Sequence, residues 1–210
     1  MVIEWLRAEG TPANCSVAGV TRVCAQYLAS FTLAPSVELQ ASAARLASHH
    51  GHGRGRVQAA GALADPSVLS ALRAVLPADM AATLQANFEW YSCRGAHFHN
   101  DAHYGGVLFG AWCLAGPAMD IVFPRTGWRV ASRIGTAIVF DPFEPHGVLL
   151  PDSSTYEAER YVNAAPSVFL AFELRLTEAM CAAFGIGAAV PGAPVLSSER
   201  AVHAETGALS

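Results

Sequence analysis

Nine residues, AHFHNDAHY from Ala96 to Tyr104, concentrate groups able to bind a metal, and DPFEPHG at residues 141–147 answers them from downstream. The first stretch sets His99 and Asp101 in a His-x-Asp step. The second supplies His146, 45 positions beyond Asp101. Two imidazoles and one carboxylate can hold an octahedral ferrous ion by one face and leave three positions for substrate and oxygen. Side chains two apart on an extended strand point the same way, so His99 and Asp101 can reach one ion. A three-letter step recurs by chance, and its weight depends on whether the chain between can return His146 to it.

The elements that must do this are short strands bounded by Gly, Pro and Asp from about Asn87 onward. Eight are expected: Phe88–Cys93, Ala96–His99, Val107–Leu114, Met119–Phe123, Trp128–Ser132, Ala137–Phe140, Gly147–Leu150 and Val168–Leu174. Their number and spacing suggest a jelly roll. In that topology the strand after His146 neighbours the strand ending at His99 across the barrel mouth. A closing helix follows over Thr177–Phe184, and residues 185–210, small and interrupted by Gly and Pro, read as a loosely held tail.

Ahead of the strands, residues 1–86 read mostly as helix. Val17, Val20, Cys24, Tyr27, Leu28 and Phe31 recur at helical spacing. Ser36 can cap a second helix carrying Leu39, Ala43 and Leu46, and Asp65-Pro66 opens a third carrying Val68, Leu69, Leu72, Val75 and Leu76. The expected fold is therefore α+β: a double-stranded β-helix over residues 87–184, braced by an N-terminal helical region that also offers a homodimer surface.

Two segments, AHFHND and GTAIVFDPFEPHGV, resemble the ligand-bearing segments of the iron(II)/2-oxoglutarate-dependent oxygenases, over roughly residues 87–176. The run from Gly135 to Asp141, Gly-x-x-x-x-Phe-Asp, is similar to that family's approach to its distal His. The resemblance implies that His99, Asp101 and His146 ligate Fe(II). It implies that 2-oxoglutarate chelates the metal, and that dioxygen converts it to succinate and CO2 while a substrate C–H bond is oxidised. It further implies a cation for the far carboxylate of 2-oxoglutarate. Arg160, 14 residues past His146, and Arg175, at the end of the last strand, are the candidates.

Two other readings compete. A cupin-type metal dioxygenase or isomerase would use His97, His99 and His146, but no Glu follows the His pair, so His103 would have to substitute. A non-catalytic jelly-roll module would carry the same residues for structure alone. Asn100 and Glu144 are near enough in sequence to orient the ligands. His49, His50 and His52 lie in HHGHGRGR, which reads as a solvated loop or lid, with Arg54 and Arg56 able to steer an anion. Trp90, Tyr91, Trp112 and Trp128 are expected in the core or lining a cavity.

Composition closes off several classes. A formal charge of -4 disfavours nucleic acid. All 13 basic residues are Arg, which excludes Schiff-base or Lys general-base chemistry. Five cysteines without a C-x-x-C step indicate neither a disulfide framework nor a zinc knuckle. No stretch approaches the roughly 18 apolar residues of a membrane span. The expectation is a cytoplasmic enzyme acting on a small molecule or an amino-acid side chain, with dioxygen as co-substrate.

Overall fold

In the computed structural model the chain is described over residues 2–17, 19–49, 53–102, 104–197 and 202–209. It begins with strands, not helices: β1 (Glu4–Arg7), β2 (Asn14–Val17), β3 (Val20–Val23) and β4 (Tyr27–Thr32). The helix expected over Val17–Phe31 does not form. β4 is buried along most of its length, and a strand enclosed on both sides has no reason to alternate. Its apolar run therefore mimicked a helical stripe. The next helix, α1 (Val37–His49), forms as expected, with Ser36 Oγ accepting from the Leu39 amide.

Two further short strands follow, β5 (Arg54–Gly55) and β6 (Gln58–Leu63), then α2 (Pro66–Val75) and α3 (Ala78–Thr83). Asp65 caps α2 by accepting from the Ser67 amide, and Pro66 opens its first turn. The N-terminal region is thus a mixture of strands and helices, and four of its strands join the barrel.

That barrel is formed by β7 (Leu84–His99), β8 (Val107–Ala115), β9 (Met119–Phe123), β10 (Trp128–Ser132), β11 (Thr136–Phe140), β12 (His146–Leu149) and β13 (Ser167–Arg175). The two strands expected at Phe88–Cys93 and Ala96–His99 are one, β7, which runs through both walls. Its first half pairs with β13 and its second half with β12. The passage between walls occurs at Gly95, in the left-handed region at φ +66. A Cβ there would lie 2.3 Å from the Tyr161 ring, so only glycine permits the bend without displacing that ring.

One wall runs β11-β8-β13-β7 and the other β7-β12-β9-β10, all antiparallel. This antiparallel, nearly closed arrangement is consistent with a double-stranded β-helix. The N-terminal strands lengthen it: β4 and β1 extend the first wall beyond β11, while β5 and β6 add to β7, giving eleven strands in all.

Two apolar layers follow from this arrangement. Between the walls lie Phe98, Ile121, Phe123, Ile138, Phe140, Val148 and Phe169. On the outer face of the first wall, Phe88, Trp90, Trp112, Leu170 and Phe172 share a core with Leu39 and Ala43 of α1 and Val68 and Leu72 of α2. The closing helix α4 (Glu178–Phe184) joins the same layer through Met180 and Phe184. Thr177 caps it, and Gly185 at φ 65 ends it.

Described residues of the C-terminal segment pair with the rest of the fold. β14 (Val195–Leu196) pairs in parallel with β2. The carbonyls of Ala204 and Glu205 accept from the amides of Phe98 and Tyr156, each at 2.9 Å. No helix among the described residues is long and apolar enough to cross a membrane.

Candidate metal centre

His99 ends β7 and His146 begins β12, and the two are partners across the ladder. Their ring centroids are 4.5 Å apart. Asp101 follows in the turn, held by its amide donating to the Pro142 carbonyl at 2.8 Å. One Asp101 oxygen lies 3.5 Å from His146 Nε2, and the other 3.9 Å from His99 Nε2. Donors on one face of a six-coordinate ion with bonds of about 2.1 Å stand about 3 Å apart. A small inward movement of side chains therefore fits the group to such an ion.

The second nitrogen of each ring explains why the first is available. His99 Nδ1 faces the His97 carbonyl at 2.8 Å, and His146 Nδ1 faces the Glu144 carbonyl at 2.9 Å. A carbonyl only accepts, so both Nδ1 atoms carry a proton, and in the neutral ring the lone pair is then on Nε2, the atom that faces Asp101. Burial, with the neighbouring His99 ring, lowers the His146 pKa to about 4 against the pull of Asp101. The ring is neutral at pH 7, as a ligand must be. Packing between Phe123 and Phe140 fixes its plane.

The loop that delivers His146 is anchored by two buried carboxylates. Asp141 accepts from both terminal nitrogens of Arg22, at 2.7 and 3.3 Å, and from the amides of Ala25 and Phe143. Glu144 is gripped by Arg125 through Nε at 2.9 Å and through a second, shorter contact. Burial still pushes the Glu144 carboxyl up to about 7 against that guanidinium. Glu144 thus orients His146 through its backbone carbonyl, while its carboxylate holds the loop. Asn100 points elsewhere, donating to the Ser197 carbonyl at 3.3 Å.

A cavity of about 570 Å³ opens from these three donors. Its walls include Val57, Phe109, Ala111, Ile121, Ile138, Phe140, Val148, Phe169 and Ala171. Polar groups are few: the triad, His97, Tyr91, Tyr104 and Arg56. The Tyr91 hydroxyl donates to Glu89 at 2.6 Å and so receives from Tyr104 at 2.9 Å. Of the aromatic residues considered from sequence, Tyr91 lines the cavity, whereas Trp90, Trp112 and Trp128 are core.

Neither expected cation reaches this space. Arg160 sits in a surface turn, 45% exposed, bonded to Ser153 and near Glu157. Arg175 is the exposed last residue of β13, opposite Val107. The positions of β13 that do line the cavity are Phe169 and Ala171. Arg56, which does line it, lies 90 residues before His146, and spacing from the distal His could not single it out.

His97 also lines the cavity, edge-on to Tyr156 with centroids 4.1 Å apart. Among the described residues it is not part of the donor group, so the cupin set is not assembled here. His103, His50 and His52 lie outside the described residues, and His49 ends α1 on the surface.

No family model and no curated protein matches the chain. Among solved structures it is similar to a Pseudomonas putida prolyl-4-hydroxylase, at 16% identity and TM-score 0.45, covering 71% of this chain and 92% of that one. A second is the viral collagen prolyl hydroxylase of Paramecium Bursaria Chlorella virus-1, solved with 2OG, at 11% identity and TM-score 0.48, covering 72% and 96%. A third, from Burkholderia pseudomallei, is described as an oxidoreductase of the 2OG-Fe(II) oxygenase family, at 16% identity and TM-score 0.35, covering 80% and 74%. At such identities, ligands must be judged on this chain's own residues.

Proposed function

We propose that the chain is a non-haem iron(II) oxygenase that uses 2-oxoglutarate and dioxygen to oxidise a small, largely apolar molecule, releasing succinate and CO2. The observation that carries this reading is the joint orientation of His99 and His146. Both rings are tied by Nδ1 to backbone carbonyls, and both Nε2 atoms face the Asp101 carboxylate at the mouth of an apolar cavity. In this reading His99, Asp101 and His146 hold the ferrous ion. Iron with 2-oxoglutarate and dioxygen supplies oxidising power that no side chain has.

The remaining residues bind and exclude. Phe109, Phe140 and Phe169 keep bulk water from the reacting face and accept apolar substrate surface. Asp141 and Glu144 fix the loop, so that His146 needs little rearrangement to meet a metal.

The test is spectroscopic and chemical. Adding ferrous ion and then 2-oxoglutarate without oxygen should produce a broad visible charge-transfer band. Admitting oxygen with ascorbate should yield succinate. Metal uptake without either signal would remove 2-oxoglutarate from the reading, and failure to take up metal would remove the enzyme altogether.

A further inference from the structure

We infer that Arg56, delivered by the N-terminal β5–β6 segment and not by the barrel, is the carboxylate-binding cation of the cavity. This rests on the iron-site reading above and deepens it. The cations of the barrel and its connectors are engaged or elsewhere. Arg22 and Arg125 are committed to Asp141 and Glu144, Arg129 pairs with Asp120, and Arg160 and Arg175 face outward. Among the described residues, Arg56 is the one Arg that lines the cavity, and it is exposed at the cavity's edge.

Its position is built by the fold. β5 pairs in parallel with the second half of β7, Gly55 standing opposite Ala96. Gly55 is buried with φ +74, and a Cβ there would lie 2.6 Å from His97 Nε2. Only a glycine lets this segment close against His97, on the strand that ends in the metal donor His99. The next residue is Arg56, and Val57 and Ala59 continue the cavity wall beyond it.

Charge elsewhere in the cavity favours the same assignment. Beyond Tyr91 and Tyr104 the adjoining hollow is lined by Glu89 and Glu173, whose carboxylates repel an anion. Between these ends the walls are apolar apart from the triad and His97. A carboxylate that is not bound to the metal therefore has one favourable partner in the cavity, the guanidinium of Arg56. Two ligands supply that chemistry: 2-oxoglutarate through its far carboxylate, or an oxidisable substrate that is itself a carboxylic acid.

The experiment compares wild type, Arg56→Leu, Arg56→Lys and Arg160→Leu, each first assayed for ferrous-ion uptake and thermal stability. One arm titrates 2-oxoglutarate into the iron-loaded protein without oxygen and reads the charge-transfer band. The other titrates octanoate into the metal-free protein and reads intrinsic fluorescence. Arg56→Leu should weaken one carboxylate by about tenfold, with Arg56→Lys recovering part of the loss and Arg160→Leu matching wild type. Loss in the first arm assigns Arg56 to the co-substrate, and loss in the second assigns it to the substrate. The inference is overturned if Arg56→Leu holds both carboxylates within about twofold of wild type, or if wild type binds neither. Failure of the iron reading shows separately, as wild-type protein that takes up no metal, and the octanoate arm still decides the role of Arg56.

Discussion

Among the described residues two clusters bring three metal-ligating side chains together, and they differ in exposure and in what already neutralises them. His99, Asp101 and His146 form the first, and Cys15, Cys24 and Asp141 the second, with the donor atoms of each cluster within 4.8 Å of one another. Distance alone does not separate them. In the first, the side chains of His99, Asp101 and His146 are 33%, 21% and 8% exposed, and among the described residues no Arg forms an ion pair with Asp101. In the second all three residues are buried, and Asp141 is already satisfied by Arg22 and two backbone amides. The Cys24 thiol is pushed far above its usual range by its hydrogen bond with Cys15, by burial and by nearby Asp141, so it keeps its proton. A catalytic metal site needs unneutralised donors and an open side, and the second cluster offers neither.

The sharpest way to break this contrast is to remove one donor from each cluster. Asp101→Ala should abolish turnover and weaken ferrous-ion binding by about a hundredfold or more, with the melting temperature of the metal-free protein little changed. Equilibrium dialysis and succinate release give the answer, and wild-type metal affinity in this variant would erase the distinction. Asp141→Ala should act the other way round, on the fold first. It strands the Arg22 guanidinium and two amides in the interior, at a cost of about 3–5 kcal/mol, read by urea unfolding. Metal binding should fall only as far as the His146 loop loosens.

Smaller effects sharpen the picture. Gly55→Ala forces a Cβ toward His97 in a left-handed backbone conformation, and should cost about 1–3 kcal/mol of stability. Its carboxylate affinity should fall together with that of Arg56→Leu, whereas preserved affinity would uncouple the segment from the cavity. Cys15→Ala should cost least, about 1 kcal/mol, and leave one ferrous ion bound per chain. A drop in metal stoichiometry would show that the thiol pair binds after all.

The triad was legible in the sequence because strand parity and the return of the chain are both written in local pattern. His99 and Asp101 share a side by spacing, and the four strands between them and His146 carry β-branched and aromatic runs such as TAIVF. What failed to show was anything that depends on enclosure. β4 looked helical because burial on both faces removed the alternation that betrays a strand. The break expected near Gly95 became a bend, since a left-handed glycine can turn a strand without ending it. Distance from His146 along the chain points to Arg160. The segment between β12 and β13 instead forms a surface turn, and the cation beside the cavity comes from the opposite end of the chain.

The cavity wall has two origins, the strands of the barrel and the segments that flank it. His99 and His146 belong to strands paired inside the β-helix, whereas Gly55, Arg56, Val57, Ala59 and Ala204 come from before and after it. In the reading proposed above, part of the cavity wall can therefore change without touching the metal donors. Replacing the flanks would redraw the doorway and choose a new guest, while the hearth inside stayed as it was.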